Sequence, residues 1–333
     1  MTYNQLTLQE RYYIEIEMKN DTSQNKIAQA LNRSQGTISK EIARNRGSRG
    51  YRYKQAHRSA YKRHTIKQKS IKLTDDIIQF IKDEMNTNQS SPEQIAGRLN
   101  RVFNVSLHHE TIYRYILQNR VDGGELYLQL RHKQKPYRKR YGSSINTNSA
   151  KGIPNRVDID QRPQEVNDRL RVGDWEADTV IGAKHKGAIV TLDERVSKLR
   201  LALPQVGKFA QETKESIIEL LKPFSKYTKT ITFDNGKEFA KHTEIADSLG
   251  CDTYFAKPYH SWERGQNENA NGLLRQYFPK GMEFVDITRK EVIDAVHKLN
   301  SRPRKCLDYA TPYEAFMELT GLDATILVKG IRL

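Results

Sequence analysis

Cysteine is nearly absent from this 333-residue chain. Cys251 and Cys306 are its two, far apart and in no CxxC pair. That excludes a disulfide framework, and with no His or Cys cluster nothing points to zinc, so a reducing cytoplasm is the compartment that fits. Long apolar runs are missing too: none approaches the ~20 residues a membrane helix needs. The start, MTYNQLTLQE, has neither the basic nor the apolar region of a signal peptide. Nor is there an amphipathic basic helix of the kind that lies on a membrane surface.

What the chain does have is positive charge, unevenly placed. The net charge is +16. Residues 1–150 hold 27 Lys+Arg against 13 Asp+Glu, whereas residues 151–333 hold 29 against 27. A basic half joined to a near-neutral half implies a polyanion-binding arm on a domain with other duties, and nucleic acid is the polyanion it suits best. The length calls for two or three domains, and 37% apolar residues suffice for real cores.

Residues 6–46 read as three helices. Leu6-Thr7-x-x-Glu10 is a capping box after an apolar residue, followed by Leu8, Tyr12 and Ile16 as an inner face. Ser23 caps a second helix with Ile27, Ala28 and Leu31 inside. After a tight Asn32-Arg33 turn, Ser34 caps a third with Ile38 and Ile42 inside. This is a helix-turn-helix pattern whose third helix turns Gln35, Ser39, Lys40 and Arg44 outward, suited to base edges and phosphates in a major groove. A basic run from Arg44 to Arg63 follows, carrying Arg46 and interleaved with Tyr51, Tyr53 and Tyr61. We place this domain at residues 1–68.

A second unit of similar design follows at 69–120. Thr74 starts one helix. Ser91-Pro92-x-Gln94 starts another with Ile95, Ala96 and Leu99 inside, and Ser106 caps a third with Ile112, Tyr115 and Ile116 inside. His108, Thr111 and Arg114 point outward as candidate groove contacts. His108-His109-Glu110 lacks the i, i+4 spacing of a metal site. Residues 121–170, with Gly123-Gly124, a basic run from Arg131 to Arg140 and a Gly/Ser/Asn-rich piece, read as a basic flexible linker.

From Gly173 the period becomes strand-like. Runs at Trp175–Ile181, Ala188–Leu192 and Leu199–Leu203 predict a three-stranded meander. A helix over Lys208–Lys222, a strand Thr230–Phe233, a helix ending at Leu249, a strand Thr253–Phe255 and a further helix follow. The order βββαβαβα predicts a mixed-sheet α/β core over 171–285. Capping boxes at Thr288 and Thr311 predict two more helices in a C-terminal part, 286–333. The basic residues between them, Arg302, Arg304 and Lys305, are candidate DNA contacts.

Three carboxylates stand out by position. Asp178 sits inside an apolar strand, where a carboxylate is costly unless paired or metal-bound. Asp234 ends a strand, where α/β sheets place ligands. Glu268 lies on the helix of the stretch KPYHSWERGQNENANGLLRQYFPK, whose Leu273, Leu274 and Tyr277 are few apolar residues for a core helix. Arg264, Asn271 and Arg275 are candidate phosphate contacts on that stretch. Trp175 reads as core, and Tyr259 and Trp262 as residues able to stack on a displaced base.

Trp175-x-x-Asp178, Asp234-Asn235-Gly236 and Gly265-x-x-Glu268-Asn269-x-Asn271 together resemble the pattern of DDE transposases and retroviral integrases. WERGQNENANGLLRQYFPKG, RPRKCLDYATPYEAF, SPEQIAGRL and HETIYRYI resemble the IS-thirty family of bacterial insertion-sequence transposases, so the likeness spans nearly the whole chain. The resemblance implies a ribonuclease-H-like catalytic domain behind all-α helix-turn-helix units. It implies Asp178, Asp234 and Glu268 as catalytic ligands of two Mg²⁺ ions, with Mn²⁺ able to substitute. It also implies binding of double-stranded DNA (the element's terminal inverted repeats and a target), a circular DNA intermediate without a covalent protein–DNA link, and a homodimer or larger assembly. Two rival readings stand beside it: a DNA-binding regulator with an inactive C-terminal domain, and a metal-dependent nuclease that cuts without joining.

Overall fold

A computed structural model describes residues 5–66, 73–131, 153–257 and 265–330. Arg264, Tyr259, Trp262 and the basic run beyond Arg131 lie outside the described residues. The chain divides into two compact units, Met1–Lys72 and Leu73–Leu333.

In the first unit, α1 (Leu8–Lys19), α2 (Gln24–Ala30) and α3 (Gln35–Asn45) form the expected trio. Thr7 and Glu10 close the capping box, and the Ser34 hydroxyl accepts from Thr37 N at 3.3 Å. The inner face of α1 differs from the expected one: Leu8 and Tyr12 are exposed, and Arg11 and Ile14 are buried. The reason lies in the partners α1 meets. Arg11 Nε donates to Glu41 on α3 at 2.7 Å, and the Tyr51 hydroxyl donates to the same carboxylate at 3.1 Å. The basic run after α3 is ordered as a two-residue hairpin, β1 (Arg46–Gly47) and β2 (Gly50–Tyr51), and α4 (Tyr53–Ile66). Tyr53 meets Tyr12 edge-on, with ring centres 5.0 Å apart.

The second unit begins with α5 (Asp75–Asp83), which runs through a π-turn to Gln89, then α6 (Pro92–Phe103) and α7 (His109–Val121). Ile81, Met85, Ile95, Leu99, Ile112 and Ile116 make their common core. The cap of α7 is His108, whose Nδ1 accepts from Glu110 N at 3.2 Å; Ser106 lies two residues too early. Residues 153–170, expected to be flexible linker, are folded here: Ile159 and Val166 are buried, α8 spans Gln164–Asn167, and Val157 O accepts from Phe255 N at 2.9 Å. Apolar side chains recurring among polar ones found a sheet edge to cover.

The sheet comprises β3 (Asp174–Ile181), β4 (Ala188–Glu194), β5 (Arg200–Gln205), β6 (Thr230–Phe233) and β7 (Asp252–Phe255), in the order β5-β4-β3-β6-β7. The first three strands are antiparallel, and β6 and β7 run parallel to β3. This is the ribonuclease-H-like α/β arrangement expected. Alternation sorts the side chains. Trp175, Ala177, Val190, Leu192, Ile231 and Phe233 face one core with α9 (Ala210–Leu221) and α10 (His242–Leu249). Val180, Ile189 and Ala202 face another with α11 (Gly265–Leu274) and α12 (Arg289–Asn300). Trp175 is fully buried and its indole N–H donates to Tyr227 O at 3.0 Å, so it is core, as read. At Gly187, with φ +70°, a Cβ would fall 2.5 Å from the backbone of Phe284, so glycine is required where the β3–β4 hairpin meets the chain after α11.

Three helices close the chain rather than two beyond α11: α12, α13 (Pro312–Thr320) and α14 (Ala324–Gly330). The loop between α12 and α13 is a seat for α6. A Cβ on Gly97 would lie 2.1 Å from the Tyr309 ring, Gln94 Nε2 donates to Pro303 O at 2.8 Å, and Arg98 forms a two-pronged pair with Glu314.

Candidate active site

The sequences of β3 and β6 explain the site. Asp174, Glu176 and Asp178 occupy alternate positions, as do Thr230, Thr232 and Asp234, so each set lies on one face of its strand. The parallel register pairs Asp174 with Thr230 and Glu176 with Thr232. Two residues further on, the same register brings Asp178 level with Asp234, one residue past the end of β6. Neighbouring strands lie about 4.8 Å apart. Carried on past the last paired residues, Glu176 and Thr232, this register puts the two aspartates at matching positions of adjacent strands although 56 residues separate them in the chain. Asp234 Oδ1 accepts from Gly236 N at 2.8 Å, and Asn235 Nδ2 donates to Ala256 O at 2.9 Å, which fixes the turn.

Helix α11 covers this face. Asn271 Nδ2 donates to Asp178 Oδ2 at 2.6 Å, and Asn271 Oδ1 accepts from Arg200 Nη2 at 2.9 Å. Arg200 also donates to Ala270 O at 2.9 Å and makes a two-pronged, buried pair with Asp193 at 2.7 and 2.6 Å. Glu268 lies one turn before Asn271, in the first turn of α11, and is exposed. As the side chains stand, no three Asp, Glu, His or Cys among the described residues are grouped closely enough to hold an ion. Asp178 thus lies on β3 and Asp234 just past the end of the adjacent, parallel β6, with Glu268 on the helix tied to Asp178.

The other candidate residues divide clearly. Gln35, Lys40, Arg44 and Arg46 are exposed on or just after α3, with Ser39 half-buried among them. On α7, Arg114 is exposed and 3.9 Å from Glu110, Thr111 is half-buried, and His108 serves as the cap. Asn271 and Arg275, expected to reach phosphate, have partners inside the protein. Arg275 Nη2 donates to Ile181 O at 2.8 Å, and its guanidinium lies 5.4 Å over the Phe284 ring; burial lowers its pKa. Both hold α11 to the sheet.

The loop arginines are also internal. Arg302 is buried and donates to Asn88 O at 2.6 Å and to Gln276 Oε1 at 3.0 Å, so it joins the turn before α6 to the residues after α11. Gln276 Nε2 donates to Gln89 Oε1 at 3.2 Å, and Arg131 Nη2 donates to Gly272 O at 2.8 Å. The α5–α7 bundle therefore braces the helix that carries Glu268 at two points. Lys305 pairs with Glu93 at 3.0 Å.

Sequence reasoning passed over Glu176, Asp193, Arg195 and Arg200. All four are buried and paired, Glu176 with Arg195 and Asp193 with Arg200. Alternation in DWEAD puts its three acids on the face opposite Trp175 and Ala177; that α11 and α12 cover that face is a tertiary fact with no local signal.

Comparison with known proteins gives the context. Residues 2–45 match the family described as helix-turn-helix domain. The chain is 42% identical over 321 residues to the transposase for insertion sequence element IS4351 of Bacteroides fragilis, covering 94% of this chain and 96% of that one. It is 34% identical over 325 residues to the transposase for IS1086 of Cupriavidus metallidurans, covering 95% of each. It is 35% identical over 318 residues to transposase InsI for IS30C of Escherichia coli, covering 93% of this chain and 82% of that one. Among solved structures, the catalytic core domain of BIV integrase aligns at 23% identity and a TM-score of 0.36, over 44% of this chain and 95% of that one.

Proposed function

The chain belongs to the IS-thirty family of bacterial insertion-sequence transposases, and from that premise we propose that Asp178, Asp234 and Glu268 are its catalytic carboxylates. The protein is a DNA transposase, an enzyme that cuts and joins DNA. One observation carries the assignment of residues: the β3–β6 register sets Asp178 level with Asp234 while Asn271 ties Asp178 to the helix bearing Glu268.

The donor set is all oxygen, which suits a hard cation that keeps room for phosphate oxygens. Two Mg²⁺ ions, or Mn²⁺ in their place, held by the three carboxylates would activate the attacking oxygen and neutralise charge on the leaving one. The chain's own part is positioning. Asn271 fixes the Asp178 carboxylate, and Arg200, locked by Asp193, fixes Asn271. Glu268 stands in solvent at the start of its helix and joins the aspartates as DNA seats against α11. The outward side of α3, with Gln35, Ser39, Lys40 and Arg44, and Arg46 just after it, reads the terminal inverted repeats. Two or more protomers pair the two ends.

The test is strand transfer on duplex DNA carrying the element's ends, with Mg²⁺, comparing wild type with Asp178→Asn, Asp234→Asn and Glu268→Gln. Transfer is expected to fall to background in all three while end binding persists. Variants as active as wild type would remove the assignment. Cutting without joining by wild type would instead favour the nuclease.

A further inference from the structure

Beside α11, on the flank where Arg200 emerges, lies a cavity of about 230 Å³. Four cationic side chains line it: Arg169, Lys198, Arg200 and Arg304. Asp193 is the carboxylate in its wall, and both its oxygens accept from Arg200. Lys198 Nζ donates to Arg195 O, and Asp193 is the sole carboxylate among the described lining residues. Arg304 is largely buried; Nη2 donates to Leu299 O at 2.9 Å, but Nε is buried without a hydrogen-bond partner. Burial, with Arg302 and Arg200 close by, pulls its pKa down to about 10. Burial and the neighbouring Arg169 pull Lys198 down to about 8. Desolvated cations that repel one another and leave an N–H unsatisfied are unfavourable in isolation, and an entering anion relieves all three costs together.

We propose that this cavity is an anion site that takes a phosphate group, held by Lys198, Arg169 and Arg304. The volume is below that of drug-sized pockets and suits a small charged group. Arg304 and Arg169 offer planar, forked donors that match phosphate oxygens, and Lys198 offers a point charge. The position gives the site a consequence. Arg200 borders the cavity and holds Asn271, which holds Asp178, so an occupant presses on the element that orients the candidate catalytic carboxylate. The phosphate comes from one of two sources, a DNA backbone phosphodiester or a free anion. The DNA source rests on the transposase reading; the anion chemistry does not.

The experiment uses full-length protein as wild type, Lys198→Gln and Arg169→Gln, the latter at an exposed position. Affinity for duplex DNA is measured across a salt series, and the thermal midpoint is measured in inorganic phosphate against chloride at equal ionic strength. A DNA phosphate predicts that each substitution weakens binding and lowers the slope of log K against log [salt] by about 0.9, with inorganic phosphate leaving the midpoint unchanged. A free anion predicts that phosphate raises the wild-type midpoint, that the variants lose this shift, and that DNA affinity is unaltered. Cys306, exposed in the cavity wall, adds a readout without substitution: the occupant slows its alkylation by iodoacetamide, whereas burial pushes the Cys251 thiol up to about 12 and keeps it slow throughout. Variants that match wild type in both DNA affinity and phosphate response, with Cys306 unprotected, overturn the site. Failure of the transposase reading appears separately, as absent strand transfer by wild type with Mg²⁺.

Discussion

The two helical units of this protein are built alike and used differently. Each is built round a trio of helices, the third of them capped by a side chain, with an isoleucine-rich core. In the first, the outward side of α3 stays open, with Gln35, Lys40 and Arg44 exposed. In the second, the outward side of α6 is covered: Gln94, Gly97 and Arg98 meet Pro303, Tyr309 and Glu314 of the catalytic unit. The same local pattern thus leaves its outward side open in one place and serves as a brace in the other. A capping box and an apolar stripe specify where a helix starts and which side is buried. They say nothing of what the remaining side will touch.

Five substitutions probe that contrast. The largest effect is expected at Arg11→Ala, which leaves Glu41 buried without its main partner. Loss of one member of a buried pair costs roughly 3–5 kcal/mol, so the first unit should melt early and end binding should fail while the second unit's transition holds in calorimetry. Next comes Arg302→Ala. It strands Asn88 O and Gln276 at a buried junction, costing roughly 2–4 kcal/mol, and should depress strand transfer with DNA affinity retained. If transfer survives, the α5–α7 bundle does not brace α11.

Gly97→Ala is milder. The Tyr309 ring has to shift, at roughly 1–3 kcal/mol for overpacking, and hydrogen exchange should rise in α6 and in the 302–310 loop while the core strands keep their protection. The smallest effect separates the outer faces themselves. Arg44→Ala should weaken DNA binding and lower the salt slope by about 1, whereas Arg114→Ala, next to Glu110, should change the slope less. Equal slopes for the two variants would make both units readers.

The charges show the same division of information. DWEAD and TITFD each repeat a polar residue at every second position, so strand pleating alone puts Asp178 with Asp174 and Glu176, and Asp234 with Thr230 and Thr232. Most of the sheet follows from such alternation, and its predicted strands coincide with β3 to β7 to within a few residues. Arg302 and Arg304 could not be read that way. A basic loop between two capped helices looks like DNA-binding surface until the turn at Asn88 and the pocket beside Arg200 are known. Arg11 carries the same lesson, since nothing local distinguishes a buried arginine from an exposed one.

The sequence by itself determined the five strands of the sheet and most of the helices, the apolar face of most of them, and that Asp178 stands at a strand position where a carboxylate is costly. These are consequences of near neighbours: caps act over three residues and pleating over two. Only the tertiary structure decided that β6 lies parallel beside β3, setting Asp178 level with Asp234, and that Asn271 and Arg275 hold α11 rather than project from it. It also decided that α6 rests on the 302–310 loop. Those depend on pairings across tens to hundreds of residues, where the partner's surface, and not the local pattern, sets which polar groups are buried and what satisfies them.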